Sequence, residues 1–515
     1  MGRFGAFAVG VTALISRRDR LVERLPDWGA SAAGNRARSC SPPTPTDRIS
    51  RPRYSGAFSF RRRPTTDKIH GTFCATRGVP REQALGTEIH LEVGGVSVSG
   101  AKNNPGPDYG CLFQEGDRTQ LRTDEFDEPD ADHIELVSDD EESHRNEALA
   151  RTLARVLPRL DLLGHTIESA RAEYDAILAE QREFADEDSL GTFDLMSFDE
   201  FCELACRYPL ADLDETQIDF DHPDRDTISK GRFLAVADEI KRLPPAYDME
   251  LFWSEKSYFE AKFCRLSAYS MLQVFGLSEQ NRSEQVTWDY GPLVEAGWAS
   301  VSVFTPGTSR RQTVLVATEG STDSSILRFA LEALRPDVAD FFRFVDVDEK
   351  HPFWGTGNLV KFAEGLVRID IQNKVLFILD NDAEGLDALR RLERLSMPAN
   401  MRAMLLPDDE AFCSFPAIGP EGTKNSDING RAAAIECYLD LRLPTYPPAV
   451  VRWSNYKKDI DAWQGALEFK ETYMRHFFEQ TPETLRSGNY DISRLERLLD
   501  KIIEQATWLQ QYRSE

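Results

Sequence analysis

The stretch "KVLFILDNDAEG", residues 374–385, sets five consecutive apolar residues directly before two carboxylates, Asp380 and Asp382. An apolar run of that length, bounded by polar residues, reads as a strand buried on both faces. Such strands belong to parallel sheets covered by helices. The two acids then stand outside the carboxyl end of the strand, where open α/β sheets collect their ligands. Asp and Glu at strand ends also serve as helix caps, so the neighbouring segments decide between the two readings.

Those segments repeat the pattern. "TVLVAT" precedes "TDSSILRFALEAL", "FFRFVDV" precedes "GNLVKFAEGLV", "KVLFILD" precedes "DAEGLDALRRLERL", and "RAMLLP" precedes "GRAAAIECYL". Strands alternating with helices predict a parallel sheet with crossovers over 306–445. The expected strand ends carry Glu319, Gly320 and Asp323, then Asp346 and Asp348, then Asp380 and Asp382. Thr322 or Asp323 could cap the helix after Glu319, and Asp346 and Asp348 could be solvated loop residues. Together, however, the acids crowd one sheet edge and repel one another. A divalent cation removes that cost, and oxygen ligands without His or Cys suit Mg²⁺ or Mn²⁺.

"VLVATEGSTD" followed by "VLFILDNDAEG" resembles a Toprim domain, the metal-binding fold of type IA and II topoisomerases, DnaG-type primases and OLD-family nucleases. Glu319, Asp380, Asp382 and the motif glycines Gly320 and Gly385 carry that resemblance. "LGTEIHLEVGGVSVSGAKN" (85–103), "WDYGPLVEAGW" (288–298) and "SDINGRAAAIECYLD" (426–440) resemble HEPN/Toprim-associated proteins, bacterial proteins implicated in conflict with phage and mobile elements. The resemblance implies a Toprim-like parallel sheet preceded by a mostly helical HEPN-related region. It implies Mg²⁺-dependent phosphodiester cleavage, with Glu319, Asp380 and Asp382 holding metal, or with Glu319 as general acid/base. Asp323 and Glu436 are candidates for a second metal. It also implies nucleic acid as partner, with DNA favoured over RNA and the choice between them left open by the sequence.

The rest of the 515 residues divides by charge. Residues 1–84 hold 16 basic and 6 acidic residues, whereas the remainder holds 45 against 80. The first segment is rich in Arg, Ser, Pro and Gly and lacks periodicity, so it is expected to be disordered. Its apolar run 5–16 is followed, not preceded, by most of its arginines, against the order of a secretory signal. A basic nucleic-acid-binding arm is one reading; an over-long gene start, with Leu85-Gly86 as the true beginning, is the other. "TEIHLEVGGVSVSG" predicts a hairpin about Gly94-Gly95 within a small β region, 85–122. An acidic linker, 123–145, follows. Helices are expected over 146–305: at 145–160, at 165–184, at 197–210 with Ser197 and Glu200 as a capping box, and as one long helix at 254–276. Residues 446–515 are expected to be helical.

Arg159 and His165 fit the Arg-x(4–6)-His spacing of HEPN ribonucleases, but they fall early in the helical region, and the region reads as non-catalytic. Tyr456, Lys457 and Lys458 are available near a phosphate, and the "GTGN" loop, 355–358, could present amides to one. Eight scattered cysteines, Cys202 and Cys206 the closest pair, read as reduced thiols of a cytoplasmic protein. No apolar run reaches membrane-spanning length. With a net charge of -25, intrinsic nucleic-acid affinity is expected to be weak, or supplied by a basic partner subunit or by homo-oligomerisation. Two alternatives stand beside the nuclease reading. One is a non-catalytic sensor or partner module of a toxin or defence system. The other is an unrelated Mg²⁺ phosphotransferase, against which the Asp-x-Asp follows the third strand rather than the first.

Overall fold

The computed structural model describes residues 86–121, 143–187, 194–219, 221–244, 252–345, 355–443, 445–458 and 461–511. Asp346, Asp348, the acidic run at 124–142 and the basic segment 1–84 lie outside the described residues.

Gly94 and Gly95 take positive φ (55° and 75°), the turn whose twist matches a two-residue hairpin. Across it β1 (Glu88–Val93) and β2 (Val96–Lys102) pair antiparallel. The hairpin is part of something larger: β3 (Arg118–Gln120), β4 (Glu147–Thr152) and β5 (Gln285–Trp288) complete a sheet of order β2-β1-β5-β4-β3. Residues 147–152 are thus extended, not helical as their composition suggested, because they pair on both sides, with β3 and β5. The helix starts only at Leu153–Leu162. Helices Ile167–Glu187 and Phe198–Cys206 agree with the sequence reading, the latter closed by the Ser197/Glu200 capping box. The expected single helix over 254–276 is two, Glu255–Phe263 and Ala268–Phe275. The break falls at Ser267, whose N–H (2.6 Å) and hydroxyl (2.8 Å) both donate to the Glu173 carboxylate. One apolar cluster, which includes Val93, Leu149, Phe201, Phe259 and Trp288, joins these elements.

Downstream run β6 (Val314–Thr318), β7 (Phe342–Phe344), β8 (Lys374–Leu379), the short β9 (Asn381–Asp382) and β10 (Met401–Leu405). A parallel sheet of order β10-β8-β6-β7 results. Successive side chains of β8 enter opposite clusters. Val375, Phe377 and Leu379 face the helices Thr356–Arg368 and Ala383–Glu393, while Leu376 and Ile378 enter the opposite cluster with Ser321–Leu334 and Ser493–Gln511. Those five buried side chains together contribute roughly 10 kcal/mol of apolar transfer, enough to hold a charged strand end in a crowded place.

The path of the chain opens a crevice there. From β6 it moves to β7 at one edge, returns to β8, and continues to β10 at the other edge. The helix after β6 lies on one face and the helix after β8 on the other. Two neighbouring strands whose helices diverge define the switch point at which open sheets bind ligands.

The last part departs from the sequence reading. β11 (Phe415–Gly419) and β12 (Gly422–Ser426) form a hairpin. Residues 430–439, expected as a helix, instead give β13 (Ala432–Ala433) and a 3-10 turn, Ile435–Tyr438. The cause is pairing with β9, Ala432 opposite Asp382 and Ala433 opposite Asn381. The tail expected to be helical from 446 begins with β14 (Val451–Lys457) and β15 (Ala462–Leu467), which extend the hairpin into a sheet of order β12-β11-β14-β15. Its helices follow at Lys470–Phe478, Pro482–Arg486 and 493–511. No helix among the described residues is long and apolar enough to cross a membrane.

Candidate functional site

Glu319 follows β6 and Asp380 follows β8, with Thr318 and Ile378 in register between them. Glu319 Oε1 accepts a hydrogen bond from the Asp380 N–H at 3.1 Å. Asp382 is the N-cap of the 383–393 helix: its Oδ1 accepts from the N–H groups of Glu384 and Gly385, both at 2.8 Å. Its Oδ2 accepts from Gln464 Nε2 at 2.6 Å. A side chain at Gly385 would put Cβ 2.0 Å from the Asp380 carbonyl oxygen, so only glycine lets the helix start this close to the strand end. At Gly320 a Cβ would make ordinary contacts, and nothing in the packing requires glycine.

The β9–β13 pairing brings two further groups. Asp380 Oδ1 accepts from the Ile435 N–H at 3.1 Å. Glu436, next in sequence, is buried with Lys470 Nζ 3.9 Å away. Asp323 sits in the first turn of the 321–334 helix and accepts the Gly320 N–H at 3.0 Å, so Asp323, not Thr322, serves the helix end. All five carboxylates singled out in the sequence thus face one another's fields at the switch point.

The electrostatics follow from that crowding. Burial, then the neighbouring Asp382, pushes the Glu319 carboxyl up to about 9. Burial and Glu436 push Asp323 up to about 7, against the pull of the Gly320 N–H and Lys470. Asp380 is raised well above the carboxylate range by burial and then by Asp323, Glu319, Asp382 and Glu436. Asp382 is raised by burial, with the Gly385 N–H and Gln464 opposing. Glu319, Asp323 and Asp380 keep a solvent-facing edge; tightly packed protein around the rest of each causes the shift. Among the described residues, no three His, Cys, Asp or Glu side chains already stand in metal-ligating geometry. Each carboxylate of the strand ends instead spends an oxygen on a backbone N–H.

The other sequence candidates have different surroundings. Tyr456 hydroxyl bonds Asp461, and Lys457 Nζ lies 2.6 Å from Glu384 Oε1, beside the site. Gly355 opens the 356–368 helix with its N–H 3.3 Å from the Glu319 carbonyl oxygen, so the loop abuts the crevice. Arg159 is a fully buried joint between the two halves. It donates to Asp340 at 2.6 and 2.9 Å and to the Cys111 carbonyl at 2.9 Å, and it stacks over Phe341. His165 packs on the Tyr269 ring. The six described cysteines form no disulfide with one another. Gln464 and Lys470 escaped the sequence reading, since neither carries a local pattern that points to a partner far back along the chain.

A parallel α/β sheet with clustered carboxylates at its switch point, joined to a mixed sheet-and-helix unit, defines the class. Residues 85–312 match the family described as HEPN/Toprim N-terminal domain 1. Residues 85–312 of the chain are therefore a HEPN/Toprim N-terminal domain. The match ends just before β6, so the carboxylate crevice lies beyond it. No curated protein and no solved structure matches the chain.

Proposed function

We propose that the α/β part is a Toprim-like domain and that the protein is a divalent-metal-dependent nuclease, acting on DNA in conflict with phage or mobile elements. The observation that carries this reading is the meeting of Glu319, Asp323, Asp380, Asp382 and Glu436 in one crevice with few cations to compensate them. The donor set fits a hard ion, Mg²⁺ or Mn²⁺, because it consists of carboxylate oxygens. The one soft group nearby, Cys437, is buried, and its thiol is pushed up so that it stays protonated.

Glu319, Asp380 and Asp382 would hold the metal, with Asp323 and Glu436 beside a second ion. When bound, the metal neutralises charge on the scissile phosphate and activates the attacking water. The chain's own residues do the rest. The 383–393 helix fixes Asp382 through two amides, and the Asp380 N–H fixes Glu319. Glu319, whose folded pKa is high, can carry a proton at neutral pH when no cation competes for it, which suits a general acid/base. One observation favours a non-catalytic module instead: both oxygens of Asp382 are already engaged by the protein.

Plasmid and single-stranded DNA cleavage, with Mg²⁺ and with chelator, separates the readings. The nuclease reading expects divalent-dependent cleavage lost in Asp380→Asn and Glu319→Gln. A module that binds metal without cleaving expects metal-dependent stabilisation alone.

A further inference from the structure

Exposed rings gather in one part of the chain. Among the described residues, Tyr446, Tyr456, Trp463, Phe469 and Phe478 are exposed within 446–478, and the other exposed aromatic side chains are Trp298 and Trp508. No large aliphatic side chain described in that segment is exposed. Four of the rings form two edge-on pairs. Tyr456 and Trp463 are cross-strand partners in the β14–β15 ribbon, with ring centres 5.5 Å apart and planes at 66°. Tyr446 and Phe469, which precede and follow the ribbon, lie 5.7 Å apart at 68°. From Trp463 to Phe469 the chain spans at most roughly 20 Å.

A cross-strand aromatic pair can serve only to steady a ribbon. Two observations ask for more. Trp463 is 40% exposed and Tyr456 44%, so much of each ring is left to solvent. Phe469 holds φ at 61°, a left-handed backbone that a bulky residue adopts at a cost, and burial does not offset it, because its ring is 45% exposed. The rings also flank the crevice. Gln464, next to Trp463, donates to Asp382 at 2.6 Å, and Lys457, next to Tyr456, lies 2.6 Å from Glu384. Lys470, next to Phe469, has its Nζ 3.9 Å from Glu436.

We propose that this segment is a stacking track for unpaired nucleobases, on which Tyr456 with Trp463 and Tyr446 with Phe469 hold a single DNA strand beside the carboxylate crevice. This rests on the nuclease reading for the identity of the ligand and deepens it by naming a single-stranded substrate. A protein partner would call for one contiguous apolar patch, whereas exposed Arg452, Ser454 and Asn455 lie along β14 between the two pairs. Stacking also suits an acidic body. Every base has a π-face, so rings gain affinity for a strand without a basic surface, and the exposed Lys458 at the ribbon end is placed to meet a phosphate.

The test is fluorescence anisotropy of a short labelled oligothymidylate, and of a duplex of the same length, with the full chain in chelator at low salt. Wild type should bind the single strand more tightly than the duplex. Trp463→Ala and Phe469→Ala should each weaken single-strand binding about fivefold or more and leave duplex binding within about twofold. Trp463→Phe, which keeps a ring, and Trp298→Ala, outside the segment, should stay within about twofold of wild type. Cross-linking of an iododeoxyuridine strand to wild type reads the same contact without any substitution, and the adducts should fall on Tyr446, Tyr456, Trp463 or Phe469. Unchanged single-strand affinity in both alanine variants, equal losses for the duplex, adducts elsewhere, or a wild type that binds no single strand overturns the proposal. Divalent-dependent cleavage with unchanged binding in the variants overturns this inference alone. Ring-dependent binding without cleavage overturns the nuclease reading and leaves the track standing.

Discussion

Asp380→Asn separates a metal site from a structural ion-pair network. Asp380 stands in the field of four other carboxylates, and its Oδ1 accepts a hydrogen bond from the Ile435 N–H. Asparagine keeps that acceptor, conserves volume and removes the charge. Two unit charges about 6 Å apart at an effective dielectric of about 20 repel by about 3 kcal/mol. Protons shared among the neighbours and the solvent-facing edge reduce this, so about 1–2 kcal/mol of relief is expected near pH 8. For an α/β unit of roughly 200 residues that is a rise in melting temperature of about 2–8 °C in chelator. Wild type, by contrast, gains stability from Mg²⁺ by mass action, and the variant should lose most of that gain.

The pH dependence has a definite sign. A carboxyl with raised folded pKa binds its proton more tightly in the folded than in the unfolded state. Stability is then greatest below the unfolded pKa and falls as pH rises through the folded one. With Asp323 up to about 7 and Glu319 up to about 9, metal-free wild type should lose stability from about pH 4 to about pH 9. Mg²⁺ should flatten that slope, and Asp380→Asn should make it shallower in chelator. Thermal melts across pH 5–9, with and without Mg²⁺, test this. An Asp380→Asn variant less stable in chelator than wild type, with an undiminished Mg²⁺ response, would refute the reasoning.

Three further variants probe the frame of the site. Asp382→Ala, which repulsion alone would make neutral or stabilising, instead removes a helix cap worth about 0.5–2 kcal/mol and orphans Gln464 Nε2; chelated melts should show a net loss of about 1–3 kcal/mol. Gly385→Ala forces Cβ into the Asp380 carbonyl, and Mn²⁺ affinity should drop at least tenfold even where circular dichroism keeps the fold. Arg159→Leu strands the Asp340 carboxylate and should cost about 2–4 kcal/mol in urea unfolding, with DNA cleavage by the remaining folded fraction unchanged.

The parallel sheet was legible because its strands are short apolar runs between turn residues, and β6 and β8 stand where those runs stand. Asp380 and Asp382 were legible for the same reason: polar residues that end a buried strand must have partners. What escaped was decided by non-local pairing. "EALART" is built of good helix formers, yet β5, more than 130 residues downstream, draws it into a sheet. "RAAAIECYL" reads as helix until β9 pairs with Ala432 and Ala433. That same pairing presents Glu436 to the crevice, so Glu436 was assigned to the site while its local structure was misread. Asp382 was read as a ligand with its oxygens to spare, because a cap cannot be told from a ligand until the helix axis is known.

The charge of the chain sets a last constraint. Residues 85–515 carry 45 basic against 80 acidic residues, and such a body repels a polyanion. Lys457, the basic side chain beside the 383–393 helix start, is already engaged with Glu384. On the nuclease reading the sign of the crevice must be reversed by the cation itself. Cation and DNA would then bind with positive linkage, each raising the affinity of the other by the same factor. At constant ionic strength, DNA affinity should rise at least fivefold on exchanging Na⁺ for Mg²⁺, in the full chain and in a chain starting at residue 85 alike. Asp380→Asn should abolish the rise in both. Fluorescence anisotropy read before cleavage proceeds, with the DNA checked as intact on a gel afterwards, makes the measurement. Affinity that ignores Mg²⁺ but vanishes without residues 1–84 would move the DNA contact to that basic segment and away from the carboxylate crevice.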